Sequence, residues 1–417
     1  MTFRERYAII VITLKRKGFV MKILFASDMS FNYFAEFPGN EAVKNTLGKT
    51  AEYFRSADFS VINLENILGI KSEHSPIPKD GPNLMSSEDF IAYIDELNPT
   101  AVGLANNHSR DFGPAPIFRT MDLLREHGYQ VFGAGKNIEE AYKPAIFEKD
   151  GTRVAIFAVC ENEFGVADDD LPGTAGYSLL RVKRAIKSAL ADGMLPIIYF
   201  HGGNERNPFP SPGKLEMYRN FVDMGAKAVV AMHTHCPQGY EMYEGVPIVY
   251  SMGNFFFPKP GLMHTLMPSW TVGYMSMIDI TDGEVKLDII PYKFDETTHR
   301  VLEGEELEYI RGYIDHLRAP IADEKKIRRL FDSWCMIAGI GVVDQLSYMK
   351  TVSAFNSDML EDYRQNHTRD MTRIKNVFCC EAHCELIKNS LDLVYNDKEE
   401  EAARGIPYIC DLQQLKY

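Results

Sequence analysis

Between Met21 and His235 the chain alternates short apolar runs with amphipathic stretches, and this pattern narrows its fold more than any other feature. The runs are KILFASD, FSVINLE, TAVGLANNH, PIIYFH and AKAVVAMHTH, each with the length and composition of a buried strand. Between them, Glu41–Ser56, Ser87–Leu97, Ala115–His127, Leu179–Ala191 and Lys214–Met224 carry apolar residues at helical spacing. Such alternation predicts right-handed crossovers and a largely parallel sheet. Asp150-Gly151 and Asp282-Gly283 read as hairpin turns, joining PAIFEKDG to TRVAIFAV and YMSMIDITDG to EVKLDIIPY. With VPIVYS, these strands predict a second, more antiparallel sheet stacked on the first. The expected fold class is α/β, an α/β/β/α sandwich.

Each apolar run ends in a metal-ligand residue type: Asp28, Glu65, Asn107 with His108, His201, and His233 with His235. Open α/β sheets bind their ligands at the carboxyl ends of the strands, so the runs point to one site. Singly, each of these polar residues reads as structural; their common position makes them a candidate centre for two divalent metal ions. Mixed His, Asp, Glu and Asn ligation suits zinc, manganese or iron better than magnesium or calcium. In an extended backbone His233 and His235 point the same way and reach one cluster. Asn107 and His108, as neighbours, point differently, which suits one ligand and one catalytic acid. Arg110 and Arg206 lie in the same strand-end loops, where a substrate carboxylate or phosphate would be met; a solvated surface is their bland alternative.

At 417 residues the chain is long enough for more than one domain. Its net charge of -13 argues against broad binding to nucleic acid or anionic membranes. Seven cysteines without a regular framework favour reduced thiols and a cytoplasmic setting. In the cluster Cys379, Cys380, His383 and Cys384, helical spacing makes Cys380, His383 and Cys384 neighbours and a metal site conceivable, but a buried face of small apolar thiols is the favoured reading. The apolar run YAIIVITL near the start is far too short to span a bilayer and lacks a cleavage site, so residues 1–20 read as an extension outside the core rather than an anchor. Residues 21–300 read as the α/β domain and 301–417 as a helical region, with helices expected at Leu302–Arg318, Glu324–Gly339, Val342–Thr351 and Met371–Val394. No chemical signature marks that region, which is expected to pack on the core or to mediate homo-oligomer formation.

The strings SDMSFN, VINLEN, LANNHSRDFG, HGGNE and MHTHCPQGYEMYEGVPIVYSMGNFFF, in this order, resemble the CapA-type capsule-synthesis (poly-γ-glutamate) family from Met21 to about Phe294. That family is similar to a branch of the calcineurin-like metallophosphoesterases. The resemblance implies a calcineurin-like metallophosphatase sandwich with a helical C-terminal extension. It assigns one ion to Asp28, Glu65 and His235 and a second to Asn107, His201 and His233, with Glu65 bridging. It places His108 beside them as the acid, with Asp111 orienting it, and Glu205 and Gln238 near the site. The broader pattern begins Asp-x-His where this chain reads Asp28-Met29-Ser30, and its bridging Asp is Glu65 here; CapA-type proteins share both departures. The implied function is a metal-dependent hydrolase of poly-γ-glutamate or a related polyanionic amide or ester. The alternatives are a non-catalytic capsule assembly or export factor that holds polymer, and a phosphoesterase with a small phosphorylated substrate.

Overall fold

A computed structural model of the chain describes residues 20–259, 267–344 and 368–417. The arm before Val20 and most of the expected helix Val342–Thr351 lie outside them. Its strands of three or more residues, in chain order, are β1 (Met21–Met29), β2 (Phe59–Leu64), β3 (Ala101–Gly103), β4 (Gln130–Phe132), β5 (Ala145–Lys149), β6 (Thr152–Cys160), β7 (Leu195–His201), β8 (Ala228–Met232), β9 (Tyr240–Tyr243), β10 (Val246–Val249), β11 (Asn254–Phe256), β12 (Val272–Thr281), β13 (Glu284–Phe294) and β14 (His299–Val301). They form an eight-stranded sheet, β14-β13-β12-β1-β2-β3-β4 with β11 also on β1, and a six-stranded sheet, β9-β10-β8-β7-β6-β5. The main helices of this part are α1 (Asn40–Ser56), α2 (Ile91–Leu97), α3 (Pro114–Glu126), α4 (Leu179–Ala191) and α5 (Pro212–Asp223).

The two-residue period of a strand explains the layers. Along β1, Leu24 and Ala26 face α1, α2 and α3, whereas Ile23 and Phe25 face the second sheet. Along β7, Tyr199 points inward and its hydroxyl donates to the Ala26 carbonyl at 2.5 Å, while Phe200 points outward against Tyr218 and Phe221 of α5. The order is therefore helices, sheet, sheet, helices. Each fully buried Val, Ile or Phe contributes roughly 1.5–3 kcal/mol, so polar residues enter these strands chiefly where they leave the core. Gly133 marks one close approach of the two halves. It has φ +85, and a Cβ there would lie 2.8 Å from the Ala105 nitrogen and 2.8 Å from the Ala158 Cβ.

The strands are shared between the sheets differently from the sequence reading. β6, β7, β8 and β10 run parallel in the centre of the second sheet. The β12–β13 hairpin instead widens the first sheet, antiparallel to β1. Alternation fixes which faces a strand buries but not which partner it takes, and these pairings are long-range. Both Asp-Gly turns are present, with positive φ at Asp150, Gly151, Asp282 and Gly283.

From Gly304 onward the described elements are helical: α6 (Gly304–Arg318), α7 (Glu324–Asp344), α8 (Thr368–Cys379), α9 (Glu381–Tyr395) and α10 (Ile406–Gln413). The single helix expected over Met371–Val394 is two helices, parted where Cys380 takes an extended ψ of 123°. The start of α9 docks on the loops that follow β6 and β7. The Ala382 amide donates to Glu161, the Asn162 amide and side chain donate to Glu381, and Ser211 and the Gly213 amide donate to Glu385. Among the described residues no helix is long and apolar enough to cross a membrane.

Candidate metal centre

Strand register brings the ligand types together. Asp28 on β1 pairs with Asn63 on β2 and with Asn254 on β11, and His201 ends β7 beside Met232 of β8. Asp28, Glu65, His201, His233 and His235 are all buried at this edge. His201 Nε2 lies 3.1 Å from the Asn107 Oδ1, 2.9 Å from His233 Nδ1 and 3.7 Å from Glu65 Oε1. His235 Nε2 lies 3.7 Å from the same Glu65 oxygen. Glu65, His201 and His233 form one set whose ligand atoms lie within 4.8 Å of one another, and Asp28, Glu65 and His235 form another. Glu65 belongs to both.

The donor set fits cations. Asn107 Oδ1, the Glu65 carboxylate and imidazole nitrogens converge, and one N–H per neutral imidazole is too few to satisfy so many acceptors. Both Glu65 oxygens are buried without a hydrogen-bond partner among the described residues. Burial, reinforced by Asp28, pushes the Glu65 carboxyl well above its ordinary value. Burial also acts to raise Asp28, but His201, His235 and Asn63 outweigh it and hold that carboxyl low. His233 and His235 are lowered, mainly by burial. Neutral imidazoles beside carboxylates are what a metal site requires.

The His-x-His pair reaches the centre by a different route from the expected extended one. β8 stops at Met232, and His233 and His235 have φ 97° and 55°, in the left-handed region. Such backbone costs of order 1–3 kcal/mol per residue and persists only where the surroundings impose it. Here they do. The His233 amide donates to Asp28 at 2.8 Å, and His235 Nδ1 meets the Asn254 Oδ1 at 2.7 Å. With Nδ1 so used, His235 turns Nε2 toward Glu65.

His108 stands beside the centre with Nε2 4.0 Å from Glu65. Its Nδ1 is 2.7 Å from Asp111 Oδ2 and 3.2 Å from the ammonium of Lys79, which is itself 2.6 Å from Asp111 Oδ1. Burial and Lys79 lower the imidazole to about 4 against the opposing pull of Asp111. A cavity of about 540 Å³ opens over this edge, lined on the core side by Lys79, Asn107, His108, Glu163, Glu205 and Arg206. Trp334 and Ile337 of α7, His383 and Leu386 of α9 and Gln413 close the other side, so the helical region walls the site.

One candidate turns away. The Arg110 guanidinium donates to the Pro172 carbonyl at 2.6 Å and does not line the cavity. Arg206 and Glu205 are exposed at the mouth. Gln238 is buried and donates to the Asn207 carbonyl. Several supporting residues escaped the sequence reading. Asn63 donates to Asp28, and Asn106 ties the loop by donating to the Leu64 carbonyl while accepting from the His108 amide. Lys79 lies in a Pro- and Gly-rich loop without periodicity. Asn254 had a signal, since it sits in the YSMGNFFF string, but nothing in that string names its partner.

The bacterial capsule synthesis protein PGA_cap family matches residues 23–259. Capsule biosynthesis protein CapA of Bacillus anthracis is 26% identical over 252 residues, 58% of this chain and 60% of that one. PGA biosynthesis protein CapA of Bacillus subtilis (strain 168) is 24% identical over 252 residues, 58% of this chain and 64% of that one. A probable polyglutamine synthesis accessory protein of Mycobacterium tuberculosis is 24% identical over 281 residues, 63% of this chain and 73% of that one. The chain thus spans less than two thirds of the length of the two CapA relatives. Among solved structures, TT1561 of Thermus thermophilus aligns with a TM-score of 0.34 and 15% identity, over 65% of this chain and 99% of that one. The family match takes in both ligand sets and His108 and covers more than half of the sequence; this chain belongs to the PGA_cap capsule synthesis family.

Proposed function

We propose that the protein is a metal-dependent hydrolase acting on poly-γ-glutamate or a related polyanionic amide or ester in capsule polymer metabolism. One observation carries this reading: Glu65, with two buried and unpaired oxygens, is shared by two sets of ligand atoms. Asp28, Glu65 and His235 would hold one divalent cation, and Glu65, Asn107, His201 and His233 a second. Cations held there would supply Lewis acidity toward a carbonyl or phosphoryl oxygen. The remaining roles fall to the chain itself. Asp111 fixes the imidazole of His108 so that Nε2 faces the centre, where a proton can be passed to a departing oxygen or nitrogen. At about 4 this imidazole is neutral at rest and a strong donor once protonated, so the proton is acquired within the reaction cycle. Lys79 and Arg206 give the cavity cationic groups for a polyanion, and the helical region bounds its far side.

A non-catalytic role in assembly has one argument in its favour: a relative is described as a synthesis accessory protein. Incubating the metal-loaded protein with poly-γ-glutamate, and in parallel with phosphomonoester and phosphodiester substrates, decides between them. Shortening of the polymer is the expected result. Retained binding with unchanged polymer length and no ester turnover would replace the hydrolase with a holding factor. Turnover of esters alone would move the substrate to a small phosphorylated molecule.

A further inference from the structure

The sequence VFCCEAHCELI has no part in the hydrolase reading, yet the fold gives it a specific setting. At the break between α8 and α9 the Cys380 thiol turns inward, and the residue is only 1% exposed. His383 follows within the first turn of α9. Glu163 comes from the core, in the loop after β6. One ligand atom from each of Glu163, Cys380 and His383 lies within 4.8 Å of the other two, and Glu163 Oε1 is 3.8 Å from His383 Nδ1. The flanking Cys379 and Cys384 are exposed and take no part.

A buried thiol alone is ordinary core. The carboxylate beside it is not. Glu163 is 8% exposed, and its carboxylate makes no hydrogen bond within 3.5 Å among the described residues. The acids at the start of α9 are engaged: Glu381 by Asn162, and Glu385 by Ser211 and Gly213. Glu163 is thus left facing a thiol and an imidazole. Thiolate, imidazole and carboxylate together are a zinc-type ligand set.

We propose that Glu163, Cys380 and His383 bind a zinc-class cation that fastens α9 to the core. Two of its ligands come from the helical region and one from the loop after β6, so the ion joins segments far apart in sequence. Glu163 and His383 also line the cavity. Three protein ligands leave a fourth tetrahedral position, which water or a group of the bound substrate would fill. The site does not depend on the hydrolase reading, because its ligands are separate from those around Glu65.

Cobalt distinguishes the two centres. None of Asp28, Glu65, Asn107, His201, His233 and His235 carries sulfur, so only a cysteine-containing site gives a thiolate-to-cobalt charge-transfer band in the near ultraviolet. The full chain, stripped of metal and reloaded with Co²⁺, is expected to show that band. Cys380→Ser should abolish it. Cys379→Ser, Cys384→Ser and His233→Ala should keep it. His383 is partly exposed, so His383→Ala tests the site without disturbing the core; it should weaken the band and reduce bound zinc by one ion per chain. Absence of the band from the wild-type protein, or its survival in Cys380→Ser, overturns the proposal while leaving the centre around Glu65 untouched.

Discussion

At the strand-end wall acceptor atoms converge, and among the described residues neither Glu65 oxygen has a hydrogen-bond partner. Behind the helical wall, where α9 docks on the core, the acids are engaged. Glu381 accepts from Asn162, and Glu385 accepts from Ser211 at 2.5 Å and from the Gly213 amide at 2.7 Å. Burying an unpaired carboxylate is costly, and burying a hydrogen-bonded one much less so. The contrast separates an edge whose Glu65 oxygens lack protein partners from a helical dock whose acids the protein itself satisfies.

The largest expected effect tests the first wall at its shared ligand. Glu65→Gln should bring bound metal at the strand-end centre to background and hydrolysis to the uncatalysed rate, read by elemental analysis and polymer assay. In the metal-free state the same change should stabilise the fold. Because the Glu65 carboxyl is raised above its ordinary 4.5, the folded state holds the proton more tightly than the unfolded state does. Wild-type stability therefore falls relative to the variant as pH climbs above that value. Thermal unfolding of both metal-free proteins across the pH range should show the variant's advantage vanish in acid and grow toward neutrality. Retention of both ions by Glu65→Gln would end the distinction between the walls.

His108→Ala comes next. Its imidazole touches neither ligand set closely, so bound metal should be unchanged while turnover falls by roughly 10²–10⁴, the ordinary worth of a positioned proton donor. Metal lost in parallel with turnover would make His108 a ligand instead.

How much of this was legible differs residue by residue. Asp28, Glu65, Asn107 and His201 were readable because an apolar run fixes where a strand leaves the core, and the leaving residue faces the crevice. His233 and His235 were readable as a pair but not in conformation, since i and i+2 spacing fits a strand and a left-handed turn equally well. Lys79 and Asn254 act through partners distant in the chain, and periodicity carries no information about them. The helical region gave the least. Its amphipathic pattern announced helices but not the surface they cover, which is set by polar contacts such as Glu161 with the Ala382 amide at 2.9 Å. Cys380 ends a helix in the middle of what reads as continuous helical sequence, because a long-range dock overrides local propensity there.

A smaller effect probes the second wall. Glu385→Ala removes two hydrogen bonds from a charged acceptor, each worth about 1.5–3 kcal/mol in a sheltered setting, and partial exposure here reduces the sum to about 2 kcal/mol. Hydrogen exchange should quicken at the start of α9 and around Gly213, with metal at the strand-end centre retained. Loss of that metal would mean the helices hold the ligands in place and not merely the entrance.

The smallest effect comes from two arginines that looked alike in the sequence. Arg206 is exposed at the cavity mouth, its backbone at φ 65° and its amide donating to the Thr234 carbonyl. Arg110 is turned to the Pro172 carbonyl, and burial lowers its guanidinium from the ordinary value. A cation that meets substrate in partly screened solvent contributes about 1 kcal/mol to binding, so Arg206→Ala should raise KM for a polyanion several-fold with kcat little changed. Arg110→Ala loses a loop contact and no substrate contact, so it should lower thermal stability slightly and leave KM where it was. Both follow from side-chain direction, which a place in a strand-end loop did not determine. Equal KM effects in the two variants would mean that the Arg110 loop rearranges when substrate enters, and the strand-end wall would then be less fixed than its buried ligands imply.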